Sequence, residues 1–317
     1  MEIDLKKRAG RNRTMTVTEE EASRLGPKVL VPGDLSETLS FADVLINGDL
    51  MEVLDLLPDA FADLVIADPP YNLTKTFRSI RFSAMPQQEY EDYLRTWFHG
   101  VCTKLKPGGS LYLCGDWKCS SSLQRVMEGD LTVMNRITWQ REKGRGASSN
   151  WKNAMEDIWF GVKDPRQYYF DVDAVKLKRR VIAPYREDGR PKDWEDTSEG
   201  RFRLTHPSNF WDDISVPFWS MPENTEHPAQ KPEKLMAKLI LASCPEGGVV
   251  FDPFAGSGSA CVTAKKLGRR YVGVEIDRGY CLLTTKRLAL ADTDKRIQGF
   301  SEGCFWERNS FKGSRRG

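Results

Sequence analysis

Short apolar runs, each cut off by an acid, a proline or a glycine, recur along this chain and predict an alternation of strands and helices. Phe61 to Ala67 is mostly apolar and runs straight into Asp68-Pro69-Pro70-Tyr71. A continuous run bounded by turn formers reads as a buried strand. Each proline lacks an N–H and fixes φ at about −65°, so the strand stops and the Asp68 carboxylate is left at its carboxyl end. Val249 to Asp252 is a second such run, ending in Pro253-Phe254-Ala255-Gly256-Ser257-Gly258-Ser259. Ala260 to Leu267 then reads as a helix closed by Gly268, and Arg270 to Glu275 as the next strand. Leu45 to Asn47 reads as a short strand leading into a helix through Leu57. Tyr90, Leu94, Trp97 and Val101 give Glu89 to Leu105 the spacing of a core-packed helix. Pro107-Gly108-Gly109 reads as a turn into the strand Ser110 to Cys114, and Met134 to Trp139 as a further strand. Pro232 opens a helix through about Ala242. Helix, turn and strand repeating in this way predict an α/β doubly wound sheet. Residues 1–40 show little periodicity and read as a loose arm; from about 147 to 226 the sheet rhythm lapses.

The strand ends carry the candidate chemistry, because open α/β sheets bind ligands outside the carboxyl ends of their strands. The Asp68 carboxylate, the Pro69 carbonyl and the Tyr71 ring can accept two hydrogen bonds from an amino group and stack on its heterocycle. The competing reading is a plain strand stop with Tyr71 packed beneath it. In the second motif the glycines let backbone approach a ligand, and Glu275, 17 residues after Gly258, suits paired ribose hydroxyls. One residue between Gly256 and Gly258, with no third glycine, departs from the dinucleotide pattern.

Composition narrows the class. The 317 residues, 40% hydrophobic, suit one large α/β domain with an inserted or appended region. No apolar run approaches the ~18 residues of a membrane helix and the first seven residues lack a signal-peptide core, so a soluble cytoplasmic protein is expected. Seven scattered cysteines read as reduced core thiols, and with only three histidines no metal site is expected. A net charge of +2 says little, but Arg136 to Arg190 holds 13 Lys or Arg against 8 Asp or Glu, a local excess of +5. Lys6-Lys7-Arg8, Arg11, Arg13, Arg315 and Arg316 add to this. Such basic stretches attract phosphates, or are ordinary solvated charge.

Taken together, the two motifs resemble the amino-methyltransferases of DNA, which use S-adenosylmethionine and carry an Asp-Pro-Pro-Tyr and a Phe-x-Gly-x-Gly motif. The catalytic motif comes first here, the order of the permuted β class, and the resemblance runs from about Val44 to Leu290. It implies a circularly permuted Rossmann-like methyltransferase sheet: a basic arm (1–40), a catalytic half (41–146), a target-recognition region (147–226), a cofactor half (227–300) and a tail (301–317). It implies methyl transfer to adenine N6 in duplex DNA, by flipping the base out of the stack, within a restriction-modification system. Asp68, Pro69, Pro70 and Tyr71 would act on the base. Asp68, Asp252, Phe254, Ala255, Gly256, Ser257, Gly258 and Glu275 would hold the cofactor. His227, Gln230 and Lys231, of a His-Pro-x-Gln-Lys-Pro element, would lie at its methionine end and Asp49 at its adenine. Asp49 also reads as a helix N-cap and Pro232 as a helix start.

By the same resemblance Trp139 would stack on the extruded base, although tryptophan is often core. Arg141, Lys143 and Arg145 look like a phosphate-tracking loop, and Lys178, Arg179 and Arg180 like duplex contacts. Residues 147–226 read as target recognition, as a structural insertion, or as both. Thr138 to Trp159 and Arg180 to Trp194 look like type II modification enzymes for AAGCTT. Double-stranded DNA is the expected partner in a prokaryotic, nucleoid-associated setting. A cognate restriction endonuclease would share the site without needing to bind, and a homodimer stays open. Three alternatives remain: N4-cytosine methylation, whose commoner mark is serine in place of the first acid; RNA methylation; and a non-catalytic DNA-binding subunit, against which intact Asp68, Tyr71, Gly256 and Gly258 argue.

Overall fold

The computed structural model of the chain describes residues 10–35, 42–78, 80–141, 149–181, 185–198 and 200–308. Lys143, Arg145 and the basic residues below 10 and above 308 lie outside the described residues.

Eight strands form the central sheet: β1 (Val44–Asn47), β2 (Ala62–Ala67), β3 (Leu105–Gly115), β4 (Thr132–Gln140), β5 (Met155–Val162), β6 (Phe210–Trp211), β7 (Val249–Asp252) and β8 (Arg270–Glu275). They lie in the order β1-β8-β7-β2-β3-β5-β4-β6. All neighbours are parallel except around β5, which runs antiparallel to both β3 and β4. The period of two in β2 divides the core. Val65 and Ala67 pack on one face with Tyr90, Leu94 and Phe98 of α3 (Gln87–Thr103) and Leu123 of α4 (Ser120–Met127). Leu64 and Ile66 pack on the other with Leu235 and Leu239 of α5 (Glu233–Ser243) and Val262 of α6 (Ser259–Lys266). Each fully buried Val, Leu, Ile or Phe among these contributes about 1.5–3 kcal/mol. With both faces covered, the carboxyl ends of β2, β7 and β8 meet at one edge.

Several elements differ from the sequence expectation. Pro107-Gly108-Gly109 is not a turn before the strand but a bulge inside β3: Ala62 of β2 pairs with Leu105 and Leu64 with Ser110, so the residues between leave the ladder. Sheet rhythm returns at β5, within the stretch expected to lack it. Its acids at Glu156 and Asp157 obscured an otherwise apolar run. Residues 10–35 of the arm, which the structure describes, include a helix. Thr18 and Glu21 form a capping box on α1 (Glu19–Leu25), and Glu21 pairs at 2.6 Å with Lys286 of α7 (Arg278–Leu290).

A second sheet of five short strands has the order Glu195–Thr197, Gly200–Thr205, Leu177–Arg180, Cys304–Trp306, Phe300–Ser301. It therefore joins the irregular region to the C-terminal segment. All seven cysteines are buried thiols. Among the described residues no helix is long and apolar enough to cross a membrane.

Candidate active site

Apolar β2 buries its ladder and delivers Asp68-Pro69-Pro70-Tyr71 to the carboxyl edge of the sheet. The Asp68 carboxylate is engaged on both oxygens: the Tyr71 hydroxyl lies 2.9 Å from Oδ1 and the Lys231 Nζ 2.5 Å from Oδ2. The same hydroxyl is 3.1 Å from Glu156 Oε2, and Lys231 Nζ is 3.4 Å from that oxygen. Arg141 donates to the other oxygen of Glu156. A hydroxyl has one proton, so Tyr71 serves the two carboxylates in turn. Burial and then the neighbouring Asp68 and Glu156 charges push the Tyr71 phenol well above its ordinary range. Burial alone would lower Lys231, but the same two carboxylates outweigh it and hold the side chain as an ammonium. Tyr90 of α3 donates to the Pro70 carbonyl at 3.0 Å, and no described residue donates to the carbonyl of Pro69.

Next to this cluster, β7 ends at Asp252 and turns through the glycines. Gly256 (φ 53°) and Gly258 (φ 74°) both lie in the left-handed region. A Cβ on Gly256 would stand 3.0 Å from the His227 ring, and one on Gly258 2.2 Å from Thr284. Glu275, at the end of β8, accepts from the Gly256 N–H at 2.8 Å and from the Asp277 N–H at 2.8 Å. Burial raises the Glu275 carboxyl, and burial followed by the charges of Asp68 and Glu275 pushes Asp252 up to about 8, against one hydrogen bond from Phe254 N–H that lowers it. Both motifs open into one cavity of about 250 Å³. Phe77, Phe254, Ile276 and Tyr280 line it beside Asp68, Asp252 and Glu275. Aromatic and aliphatic walls suit a flat heterocycle, and an acceptor-rich floor suits hydroxyls and positive charge. That set fits S-adenosylmethionine, a sulfonium with an amino group, a ribose and an adenine.

Residues 62–286 match the DNA methylase family. The chain belongs to this family. It is a DNA methyltransferase, and its cofactor is S-adenosylmethionine. Among its relatives, type II methyltransferase M.HpaI of Haemophilus parainfluenzae is 30% identical over 258 residues, covering 81% of this chain and 76% of the relative. DNA adenine methyltransferase YhdJ of Escherichia coli (strain K12) is 31% identical over 256 residues, 79% and 84% of the two chains. Solved structures show the same fold. The PvuII DNA methyltransferase (cytosine-N4-specific) matches with a TM-score of 0.57 at 19% identity, over 80% of this chain and 88% of that one. The TTHA0409 protein of Thermus thermophilus, complexed with S-adenosyl-L-methionine, matches with a TM-score of 0.54 at 24% identity, over 84% and 98%.

In this methylase the expected site residues are held as follows. Asp49 caps α2 (Leu50–Leu54), accepting from Met51 N–H at 2.8 Å, and does not line the cavity. The Gln230 amide is spent on its own loop, accepting from Thr225 and donating to the Glu223 carbonyl at 2.6 Å. Lys231 lies against the Asp68 carboxylate and lines the same cavity as the glycine turn. Trp139 is 1% exposed, and its indole N–H donates to the Ile214 carbonyl at 3.0 Å, so it is a core residue whose edge borders the cavity. Arg141 lies over the Trp139 ring and on Glu156, which makes it cavity wall. Lys178 lies 4.5 Å from the Trp306 ring centre and Arg179 within 4.0 Å of Glu307, whereas Arg180 is exposed.

Sequence reasoning missed three contributors. Glu156 completes the carboxylate pair. Arg287 of α7 donates to the Ser257 carbonyl at 2.6 Å and to Glu233 at 2.8 Å, propping the glycine turn from behind. The stretch Asn72 to Met85 contains a hairpin of Lys75–Phe77 and Ile80–Phe82 that lies over the cavity. Phe77 stacks on His227 at 6.1 Å, and Arg78 pairs with Glu226. Only Glu156 left a trace in the sequence: an acid at the head of a reversed strand arrives at the edge where parallel strands end.

Proposed function

We propose that this DNA methylase transfers a methyl group to the N6 amine of adenine in duplex DNA, at a short target sequence, as the modification enzyme of a restriction-modification system. The observation that carries the reading is that the Asp68 pocket already grips an amine, the Lys231 ammonium 2.5 Å from Oδ2. An acid at the head of the motif, where serine is the commoner mark of cytosine enzymes, favours adenine, and the adenine activity named for YhdJ supports the same choice. S-adenosylmethionine supplies an activated methyl group.

The chain's own residues do the positioning. The Asp68 carboxylate and the Pro69 carbonyl accept the two N6 hydrogens and turn the nitrogen lone pair toward the cofactor side of the cavity. Tyr71 offers its ring to the base face. Phe254 to Gly258, Asp252 and Glu275 hold the cofactor, with His227 closing the glycine turn. The base enters flipped from the duplex. The second sheet, with exposed Arg180, meets the DNA outside the catalytic edge. The enzyme works on cytoplasmic chromosomal DNA, and the cognate endonuclease shares its target without touching it.

Transfer of labelled methyl to duplex DNA, followed by digestion to nucleosides and mass spectrometry, tests the reading. N6-methyladenine confined to one short sequence is expected, with an AAGCTT duplex as the first probe. N4-methylcytosine would overturn the choice of base. Asp68→Ala should bind cofactor nearly normally and lose transfer by roughly 100-fold to 10,000-fold. Gly258→Asp should lose cofactor binding itself, since its side chain would collide with Thr284.

A further inference from the structure

Two carboxylates and one ammonium share the floor of the base pocket, and only one carboxylate has been given work so far. Glu156 is 3% exposed and sits at the head of β5, the one reversed strand of the central sheet. A carboxylate buried this deeply is tolerated only when paired. Its partners are the Tyr71 hydroxyl, Arg141, and Lys231 at 3.4 Å. Lys231 meanwhile lies on Asp68 Oδ2 while the Tyr71 hydroxyl holds Oδ1, so an entering amine meets a carboxylate engaged on both oxygens. A carboxylate oxygen can accept from more than one donor, but a cation held beside a nitrogen that gains positive charge during transfer opposes the reaction.

The Lys231 backbone is fixed where its carbonyl accepts from Ser259 Oγ at 2.7 Å, but the ammonium needs only a short swing to leave Asp68 for Glu156. We propose that Glu156 is the receiving site for Lys231: without a base the ammonium fills the place of the target amine on Asp68, and when the base enters it is handed to Glu156. The pocket thus never presents an unpaired buried carboxylate, whether the base is in or out. Glu156 is a positioning residue that acts through Lys231 and through the shared Tyr71 proton. The inference rests on the adenine-methylation reading.

The test uses the full-length enzyme, S-adenosylmethionine and the duplex mapped for wild type. A second duplex carries 2-aminopurine at the target base, which brightens when unstacked. With Glu156→Gln, cofactor affinity should stay within about twofold, while target-base brightening weakens and single-turnover transfer falls roughly 10-fold to 100-fold, because Lys231 now stays on Asp68. Adding Lys231→Met removes one positive charge along with the negative one, and this double variant should recover most of the brightening and transfer. A double variant no faster than Glu156→Gln alone would overturn the proposal. So would a loss of cofactor affinity in step with the rate. Should Glu156→Gln not fold, Glu156→Asp keeps the charge but withdraws it by one methylene; slowed transfer with unchanged cofactor affinity supports the hand-over, and wild-type transfer refutes it. A wild-type enzyme that methylates no adenine would instead sink the underlying reading.

Discussion

An imidazole ring pressed against Gly256 explains why that position has no room for a side chain, and the ring is itself held between Phe77 and Tyr280, the latter 4.4 Å away. His227 accepts from Ala229 N–H on Nδ1, so the neutral ring carries its proton on Nε2. Burial, reinforced by Lys75, Lys231 and Arg287 and opposed by Asp68, lowers the imidazole from 6.5 to about 4. Between those values the unfolded chain binds a proton that the folded one refuses. The stability His227 contributes is therefore present above pH 6.5 and lost as pH falls toward 4. The stability difference between wild type and His227→Gln, from urea unfolding, should shrink by about 1–3 kcal/mol from pH 7 to pH 4.5. A pH-independent difference would mean that the ring accepts the proton in place. At this scale the motif reading named His227 and Gln230, which both line the cavity, and for Asp49 it is the N-cap reading that the structure shows; a short motif names side chains without saying which backbone groups compete for them.

Elements were more legible than individual contacts. The ends of β2, β7 and β8, the glycine turn, and α3, α5 and α6 follow from apolar runs and their stop residues, since burial on both faces leaves a strong pattern. The hairpin over the cavity left no such pattern: its strands are three residues each and its anchors come from distant parts of the chain. Arg78 is its latch, paired with Glu226 and lying 4.9 Å from the Tyr280 ring centre. Both charged groups are more than a third exposed (41% and 35%), so the pair is worth about 0.5–1 kcal/mol. Arg78→Ala should accordingly speed cofactor release by roughly two- to fivefold in a stopped-flow chase. An unchanged release rate would show that Phe77 and the Lys75 contact to the Pro228 carbonyl hold the hairpin by themselves.

At the scale of the whole molecule, the two sheets are fastened where α5 meets both. Asp213 of the irregular region binds Lys234 and Lys238 of α5, each at 2.7 Å, and Lys234 also donates to the Trp306 carbonyl. Phe305 is fully buried against Phe300 and lies 5.5 Å from the Lys238 ammonium. Phe305→Ala should lower the unfolding free energy by about 3–5 kcal/mol in urea titration. None of this join was visible in the sequence, where a short aromatic segment near residue 305 gives no sign of a partner strand far upstream.

That join also sets an order of events during synthesis. The strand Leu177–Arg180 gains one neighbour from Gly200–Thr205 soon after it is made, but its other neighbour begins 124 residues beyond Arg180. At about 5–20 residues per second, the ribosome leaves that side open for roughly 6–25 s. An open strand edge invites pairing with any other nascent chain, and charge is the usual guard against it. Lys178-Arg179-Arg180 puts three successive cations on the waiting edge, so a second copy of the same chain is repelled until Cys304–Trp306 arrives to close it.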